Sequence, residues 1–184
     1  MIDVNPLQRF LNSSRLLYSY DEIQSAINNI AIQINNDLAG ESVILLCVMK
    51  GAIPFTSALM QQLNLPMQLD YVHATRYGDN QRGGELTWLA QPETNLAGQS
   101  VLIVDDIFDE GKTLQAICQY CCKQGANTVK TAVLVNKVHN RKVAGFNVDY
   151  QGLEVPDAYV FGFGMDCEGW GRNLDAIYVL QTTK

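Results

Sequence analysis

Long apolar runs are absent from this chain of 184 residues, and no run approaches the length that would span a bilayer. The amino terminus, Met-Ile-Asp-Val-Asn-Pro, also lacks the basic region and apolar segment of a signal peptide. We therefore expect no membrane association and a cytoplasmic location. Repeats and low-complexity tracts are absent as well, and the length is that of one domain with a substantial core.

Positive charge is scarce, because 13 Lys and Arg residues face 19 Asp and Glu residues and give a net charge of −6. Nonspecific binding to nucleic acid depends on neutralising phosphates, so this balance disfavours a nucleic-acid partner. It still allows a local basic pocket that binds a small anion.

Metal-ligating side chains are also few. There are two histidines, His73 and His139, and five cysteines with a single Cys-x-x-Cys pair, Cys118 and Cys121. Because no second pair exists, a zinc site is disfavoured, and we expect reduced thiols in the core of a cytosolic protein. We expect both histidines to be structural, since neither has ligand partners at a suitable spacing.

Apolar periodicity predicts alternating helices and strands. Residues 21–38 carry isoleucine or leucine at steps of three or four, the pattern of an amphipathic helix. The other predicted helices begin near residue 54 and span 113–124, and the predicted strands are 43–48, 67–75, 85–89, 101–104, 129–135 and 177–180. This alternation indicates an α/β fold with a mostly parallel sheet and helices on both faces.

The most informative segment is residues 101–113, Val-Leu-Ile-Val-Asp-Asp-Ile-Phe-Asp-Glu-Gly-Lys-Thr. A buried strand runs into Asp105 and Asp106, and a polar turn with Asp109 leads to the start of a helix. In open α/β sheets, ligands bind at the carboxyl ends of strands, often with a phosphate at the next helix. Carboxylates suit ribose hydroxyls or magnesium, so the segment predicts a site for a phosphorylated sugar.

Two other interpretations of this segment fit less well. A Walker A loop shares the final Gly111-Lys112-Thr113, but its first glycine position holds Asp106, whose carboxylate would repel a di- or triphosphate. A buried strand capped by three solvated acids explains the apolar run. It does not explain three acids and Gly-Lys-Thr within nine residues.

Two acids followed by Asp-x-Gly-x-Thr resemble the phosphoribosyl diphosphate motif of type I phosphoribosyltransferases. Residues 153–173 are similar to the C-terminal hood of hypoxanthine-guanine phosphoribosyltransferases. Lys50-Gly51 follows a buried strand as in that family, and Lys137 stands where the family keeps its base-reading lysine. The likeness covers about residues 15–180.

The resemblance implies the type I phosphoribosyltransferase fold, a central mostly parallel sheet flanked by helices with a small C-terminal hood. It implies a single domain over residues 1–184. The expected core is about 15–148, and the expected hood is about 149–184 together with the N-terminal segment.

The resemblance also implies an activity in purine salvage. The 5-phosphoribosyl group of phosphoribosyl diphosphate would pass to hypoxanthine, guanine or both, which gives IMP or GMP and diphosphate with the help of Mg²⁺. A homodimer or homotetramer is implied as well. The alternatives are a phosphoribosyltransferase for xanthine or a pyrimidine, and a non-catalytic regulator on the same fold that binds nucleic acid.

Residue roles follow from the resemblance, with Asp109 as the base that takes the purine proton. The expected contacts are with ribose and the 5′-phosphate (Asp105, Asp106, Asp109, Glu110, Gly111, Lys112 and Thr113), with diphosphate (Lys50, Gly51 and Arg172), with the purine (Lys137, Tyr159, Val160 and Asp166) and with magnesium (Asp105, Asp106 and Asp166). Arg76 and Tyr77 would belong to a loop that closes during catalysis. A cis peptide is frequent in the family at the Lys50-Gly51 segment.

Several assignments have a simpler alternative. In the simpler alternative, Asp109 caps the following helix and has no catalytic role, and Lys137 is a surface lysine. Lys50 could be a lysine that extends to solvent from a strand end. Taken alone, Tyr159 and its neighbours are an ordinary strand.

Overall fold

The computed structural model describes residues 6–76 and 86–181. Its helices are α1 (Pro6–Asn12), α2 (Tyr20–Asp37), α3 (Ile53–Met60) and α4 (Lys112–Lys123). Its strands are β1 (Ser14–Tyr18), β2 (Val43–Val48), β3 (Met67–Arg76), β4 (Leu86–Ala90), β5 (Ser100–Phe108), β6 (Thr128–Val138), β7 (Tyr150–Pro156), β8 (Val160–Phe161) and β9 (Ile177–Leu180). Each helix and strand predicted from periodicity is present, with differences at the ends.

Six strands form the larger sheet in the order β4-β3-β2-β5-β6-β7. All neighbours in it are parallel except β3 and β4, so the predicted mostly parallel α/β fold is confirmed. The direction of winding reverses between β2 and β5, because β3 lies outside β2 whereas β6 lies outside β5. Such a reversal leaves a crevice at the carboxyl ends of the two strands.

Both faces of this sheet are covered, which explains why β2 and β5 are continuously apolar. Leu45 of β2 and Leu102 of β5 belong to a core cluster with Ile27 of α2 and Phe55 of α3. Their chain neighbours point to the opposite face. There they pack in a second cluster that includes Ile117 of α4. The two layers fix the sheet and hold its carboxyl end in place.

A smaller antiparallel sheet, in the order β1-β9-β8, forms the hood. One of its strands, β1, comes from the N-terminal segment. The hood boundary differs from the one expected near residue 149. Strand β7 pairs with β6 from Tyr150 to Pro156 and completes the larger sheet, so the C-terminal part of the hood begins after Pro156.

Strand β5 is longer than its apolar run predicts, and this changes the setting of the acids. The strand does not end at Val104 but continues to Phe108, because pairing with β6 continues to that point. Pairing with β2 stops at Val104. Asp105 and Asp106 therefore lie in a strand with one open edge, and the expected polar turn begins only after Phe108.

Strand β6 is also longer than predicted and ends at Val138. Lys137 lies inside the strand, where it pairs with Val155 of β7, and not just beyond its end. The apolar run stops earlier than the strand, because a strand ends where its hydrogen bonds to the neighbouring strand end. Here β6 stays paired with β7 as far as Val138, whatever the polarity of its side chains.

Of the five cysteines, Cys118, Cys121 and Cys122 lie on α4, Cys47 lies in β2 and Cys167 lies in the hood. Cys122 is exposed and therefore lies outside the expected core. All five are free thiols. Burial raises the pKa of Cys118 to about 12 and that of Cys121 to about 12. Separately, no helix in the described ranges is both long and apolar enough to cross a membrane.

Candidate active site

The carboxyl ends of β2 and β5 and the start of α4 surround a cavity of about 440 Å³. Every residue predicted to bind the sugar phosphate or diphosphate lines this cavity: Asp105, Asp106, Asp109, Glu110, Gly111, Lys112, Thr113, Lys50, Gly51 and Arg172. These residues come from three separate parts of the chain, and the winding reversal brings them together.

A second cavity of about 170 Å³ adjoins the first. Its lining includes all four residues predicted to bind the purine: Lys137, Tyr159, Val160 and Asp166. Asp106 and Asp109 line both cavities. Asp109 therefore lies at the junction of the two, within reach of a molecule that occupies either one.

Asp105 and Asp106 are partly buried in the strand. Each accepts a hydrogen bond from the next backbone N–H, from Asp106 to Asp105 Oδ1 at 3.0 Å and from Ile107 to Asp106 Oδ1 at 2.9 Å. Burial raises the pKa of both carboxyls, and the charge of Asp106 raises that of Asp105 further. Such a pair favours a ligand that brings positive charge or hydroxyl donors.

Gly51 lies against Asp106, and its lack of a side chain is what makes the contact possible. A β-carbon built at Gly51 would overlap Asp106 Oδ2, and one built at Gly164 of the hood would overlap the Gly51 carbonyl oxygen. The end of β2, the acid pair and the hood thus meet at one backbone position. The cis peptide bond is Met49–Lys50, which places it one bond before the expected Lys50-Gly51 bond.

The turn after β5 delivers the N-terminus of α4 to the larger cavity. Gly111 has a left-handed φ of 81°, and a β-carbon there would overlap the ring of Phe108, so the position requires glycine on both counts. The first N–H groups of a helix lack intrahelical partners. At the start of α4 they belong to Lys112, Thr113 and the next residue, and the N-cap residue Gly111 has no side chain that could cap them. Such a group of donors suits a phosphate.

Both carboxylate oxygens of Asp109 accept hydrogen bonds. Lys137 Nζ lies 2.7 Å from Oδ2, and His139 Nε2 lies 2.6 Å from Oδ1. Burial alone would raise the pKa of Asp109, but these two donors outweigh it, and the pKa lies below its usual value. The N-cap of α4 is Gly111, so Asp109 is not the helix cap. Lys137 is not a surface lysine, because its side chain is only 13% exposed.

The hood supplies one wall of each cavity. The hydroxyl of Tyr159 donates to the backbone carbonyl of Asp166 at 3.1 Å, which fixes the ring while half of the residue, 53%, is exposed. The carboxylate of Asp166 forms an ion pair with Arg172 and accepts the backbone N–H of Gly169 at 2.8 Å. Asp166, which is predicted to bind magnesium, and Arg172, which is predicted to bind diphosphate, are therefore paired with each other.

The predicted closing loop falls almost wholly outside the described residues. Arg76 is the last residue of β3. Tyr77 lies outside the described ranges, so the role expected for both residues stays a prediction.

No cluster of three or more His, Cys, Asp or Glu side chains within residues 6–76 and 86–181 is arranged to hold a metal ion. Mg²⁺ commonly keeps several waters and binds through one or two carboxylates together with substrate phosphates. Asp105 and Asp106 fit that kind of site, because they are adjacent carboxylates on the wall of the larger cavity. Asp166 fits less directly, since Arg172 occupies its carboxylate.

Comparison with known proteins agrees with this geometry. The sequence model of the phosphoribosyl transferase domain family matches residues 19–169 of this chain. The hypoxanthine-guanine phosphoribosyltransferase of Streptococcus thermophilus (strain CNRZ 1066) is 32% identical over 168 residues, which cover 91% of this chain and 93% of that protein. The chain belongs to the hypoxanthine-guanine phosphoribosyltransferase family. It is thus an enzyme of the phosphoribosyltransferase class, as the motif predicts.

Solved structures of the same family superpose over nearly the whole chain. The hypoxanthine phosphoribosyltransferase of Staphylococcus aureus gives a TM-score of 0.87 at 26% identity and covers 97% of this chain and 96% of its own. That of Trypanosoma cruzi, in a ternary complex with substrates, gives 0.86 at 28% identity, with coverages of 93% and 97%. The predicted type I phosphoribosyltransferase fold is confirmed.

One contact of this family member was missed from the sequence, that of His139 with Asp109. We expected His139 to be structural because it has no metal-ligand partner by spacing. A signal was nevertheless present, since residues two apart on a strand point to the same face, and His139 follows Lys137 by two and β6 by one. A histidine two residues after Lys137 was therefore a candidate to reach the same carboxylate.

Proposed function

We propose that the protein transfers the 5-phosphoribosyl group from phosphoribosyl diphosphate to hypoxanthine, guanine or both, and so forms IMP or GMP and releases diphosphate. One observation carries this proposal. The carboxylate of Asp109 lies at the junction of a cavity lined by acids and helix N–H groups and a cavity lined by a lysine and an exposed tyrosine ring. The first suits a sugar phosphate, and the second suits a purine.

The reaction needs positioning, charge stabilisation and a proton acceptor. The purine nitrogen attacks C1′ of the sugar while the diphosphate oxygen leaves, and cationic charge grows on the ribose ring. Asp109 accepts the proton that the attacking base loses. Its pKa lies below the usual value, so the carboxylate is anionic at neutral pH and ready for this step.

The sugar is held by groups of β5 and α4. Asp105 and Asp106 accept hydrogen bonds from the ribose hydroxyls, and the turn from Glu110 to Thr113 receives the 5′-phosphate on its N–H groups. Glu110 and Lys112 pair at 2.5 Å, which holds the turn together at its exposed side.

Diphosphate and magnesium are bound across the same cavity. Asp105 and Asp106 would hold Mg²⁺ with its waters, and the ion would supply positive charge to balance that of the diphosphate. Lys50 and the N–H of Gly51 contact diphosphate, and Arg172 offers its fork of donors. Arg172 already influences Asp106, because burial raises the pKa of that carboxyl and the charge of Arg172 opposes the rise. Asp166 would be available to a second Mg²⁺ only if its pair with Arg172 opened.

The purine is recognised by donors and by a stacking surface. An ammonium group has three N–H donors and no acceptor, so Lys137 can bond Asp109 with one and the 6-oxo group of a purine with another. Adenine, whose 6-amino group donates, is disfavoured. Tyr159 stacks on the purine face, and Val160 offers backbone groups to its edge.

The decisive experiment is an assay of phosphoribosyl diphosphate with hypoxanthine, guanine, xanthine, adenine and uracil, each with and without Mg²⁺. We expect Mg²⁺-dependent formation of IMP and GMP and no product from adenine or uracil. The absence of a nucleotide from every base would overturn the proposal. Product from xanthine or uracil alone would favour the alternative of a different base.

We propose a cytoplasmic location and a homodimer or homotetramer. Five free thiols support a reducing compartment. Ile53, Leu69 and Tyr71 form an exposed apolar area beside a groove at α3 and β3, which supports self-association. Light scattering coupled to size exclusion gives the number of subunits, and a monomer at assay concentration would contradict the expected assembly.

A further inference from the structure

His139 touches Asp109 without lining either of the two cavities. Its side chain is only 3% exposed, so it is not placed to bind a ligand itself. We propose that His139 is a positioning residue that holds the Asp109 carboxylate in one orientation and keeps it anionic until the purine proton arrives. The proposal rests on the role of Asp109 proposed above.

The hydrogen-bond pattern fixes the tautomer of His139. The backbone N–H of Arg141 donates to Nδ1 at 3.0 Å, so Nδ1 carries a lone pair and not a proton. The ring proton is therefore on Nε2, which lies 2.6 Å from Asp109 Oδ1. The contact is an N–H donated to a carboxylate, and it needs no positive charge on the ring.

The turn that carries His139 is anchored at both of its sides. Arg141 makes a two-point pair with Asp157, with Nη1 2.5 Å from Oδ2 and Nη2 2.8 Å from Oδ1. Asp157 precedes Tyr159 by two residues in the hood. On the other side, the N–H of Val143 donates to the Glu110 carbonyl at 2.9 Å, in the phosphate-binding turn. The imidazole is thus held against movement from the purine side and from the sugar side.

The two donors to Asp109 have different duties. Lys137 lines the purine cavity and is expected to share its N–H groups with the base. His139 has one N–H, and Asp109 is its partner. When a purine draws on Lys137, His139 continues to hold Oδ1. Oδ2 is then the oxygen that is left to receive the proton.

The test compares His139→Leu with His139→Gln. Leucine removes the donor, whereas the glutamine amide can return an N–H near the position of Nε2. Single-turnover rates with enzyme in excess report the transfer step, which product release can hide in kcat. We expect His139→Leu to slow this step about tenfold or more, part of what a general base supplies. KM for phosphoribosyl diphosphate should change less than about threefold, since the lost contact does not involve that substrate.

The pH profile of the single-turnover rate separates positioning from simple support of the fold. Loss of the Nε2–H donor removes one of the two hydrogen bonds that lower the pKa of Asp109, so the acid limb should move to higher pH in His139→Leu. In His139→Gln the rate and the limb should return toward those of the parent. Lys137, Arg141 and Lys142, the other cations near Asp109, are unchanged in both variants.

His73→Leu is the matched control, because it removes the other imidazole from a residue of β3 that lines neither cavity. It should leave the rate and the limb unchanged. A parent-like rate and limb in His139→Leu would overturn the proposal, as would an equal loss in the Leu and Gln variants. If His139→Leu does not fold, His139→Gln alone decides. The proposal requires that His139→Gln keep the acid limb of the parent and a single-turnover rate within about threefold of the parent rate.

The outcome for His139 can be told apart from the outcome for the proposed function. If the parent makes no nucleotide, or if Asp109→Asn is fully active, the proposed function of the site fails. If the parent is active and Asp109→Asn is impaired, but His139→Leu behaves like the parent, only the positioning role fails.

Discussion

The carboxylate of Asp106 lies so close to the α-carbon of Gly51 that no β-carbon fits between them. Gly51 has no positive φ, so the requirement for glycine is steric and not conformational. We expect Gly51→Ala to displace Asp106 and to lower kcat/KM for phosphoribosyl diphosphate about a hundredfold or more, since misplacement by about 1 Å can cost that much. Steady-state kinetics with saturating hypoxanthine measures the effect.

Gly40→Ala is the control for this change. A β-carbon at Gly40 would meet nothing within 4 Å, although the residue has a φ of 83°. The variant should lose about 1 kcal/mol of stability and retain full activity. Equal activity of the Gly51 and Gly40 variants would mean that the contact with Asp106 is not needed.

Asp109→Asn tests the proton acceptor with little change in shape. We expect turnover to fall about a hundredfold or more, because a positioned general base contributes about that much. Binding of phosphoribosyl diphosphate, measured by calorimetry, should persist, and so should the fold. Asp149→Asn, which removes a carboxylate that pairs with Lys130 outside both cavities, should keep turnover. Full turnover of Asp109→Asn at neutral pH would discard its role as the base.

Lys137→Met removes the proposed donor to the 6-oxo group. A hydrogen bond to a charged group contributes about 1.5–3 kcal/mol, so KM for hypoxanthine should rise about tenfold to a hundredfold. Asp109 also loses a donor that lowers its pKa, so the acid limb of kcat/KM should move to higher pH. Lys130→Met, on the same strand but outside both cavities, should change neither quantity. An unchanged KM would refute the role of Lys137 in base recognition.

Asp70 predicts an acid sensitivity of the fold that is separate from the site. The residue is 8% exposed, and its carboxylate accepts the N–H groups of Tyr71 at 2.7 Å and Thr94 at 2.8 Å. Burial opposes ionisation, but these hydrogen bonds prevail and lower the pKa of Asp70. A lowered folded-state pKa stabilises the protein above the unfolded value, about 3.9, and this stabilisation is lost as pH falls through the folded value.

Asp70→Asn should therefore reduce the free energy of unfolding at neutral pH by about 1–2 kcal/mol. The difference from the parent should shrink below about pH 4, where the parent carboxylate becomes protonated. Urea unfolding at a series of pH values measures it. A difference that is constant with pH would show that the carboxylate charge is not involved.

The sequence predicts the larger sheet well because β2 and β5 are buried on both faces, and continuous apolar runs are the signal of that setting. Strand ends were harder to predict. Asp105 and Lys137 lie inside strands because a neighbouring strand continues beside them, and no local pattern records that neighbour.

Within the site, the motif predicts which residues converge but not how they engage one another. The ion pair between Asp166 and Arg172 depends on two turns of the hood that only the folded chain brings together. The contact between His139 and Asp109 joins residues 30 apart in sequence. The only trace of it in the sequence is a histidine one residue beyond β6 and two residues after Lys137.

Strand β5 outruns β2, so a short length of unpaired sheet edge lies inside the enzyme. An open edge is a template onto which an extended peptide can add. Here the side chains of Asp105 and Asp106 bond the N–H groups of the residues that follow them, and their charge repels an incoming strand. The two acids thus leave this edge open to a small polar ligand and prevent another polypeptide from adding to it as a strand.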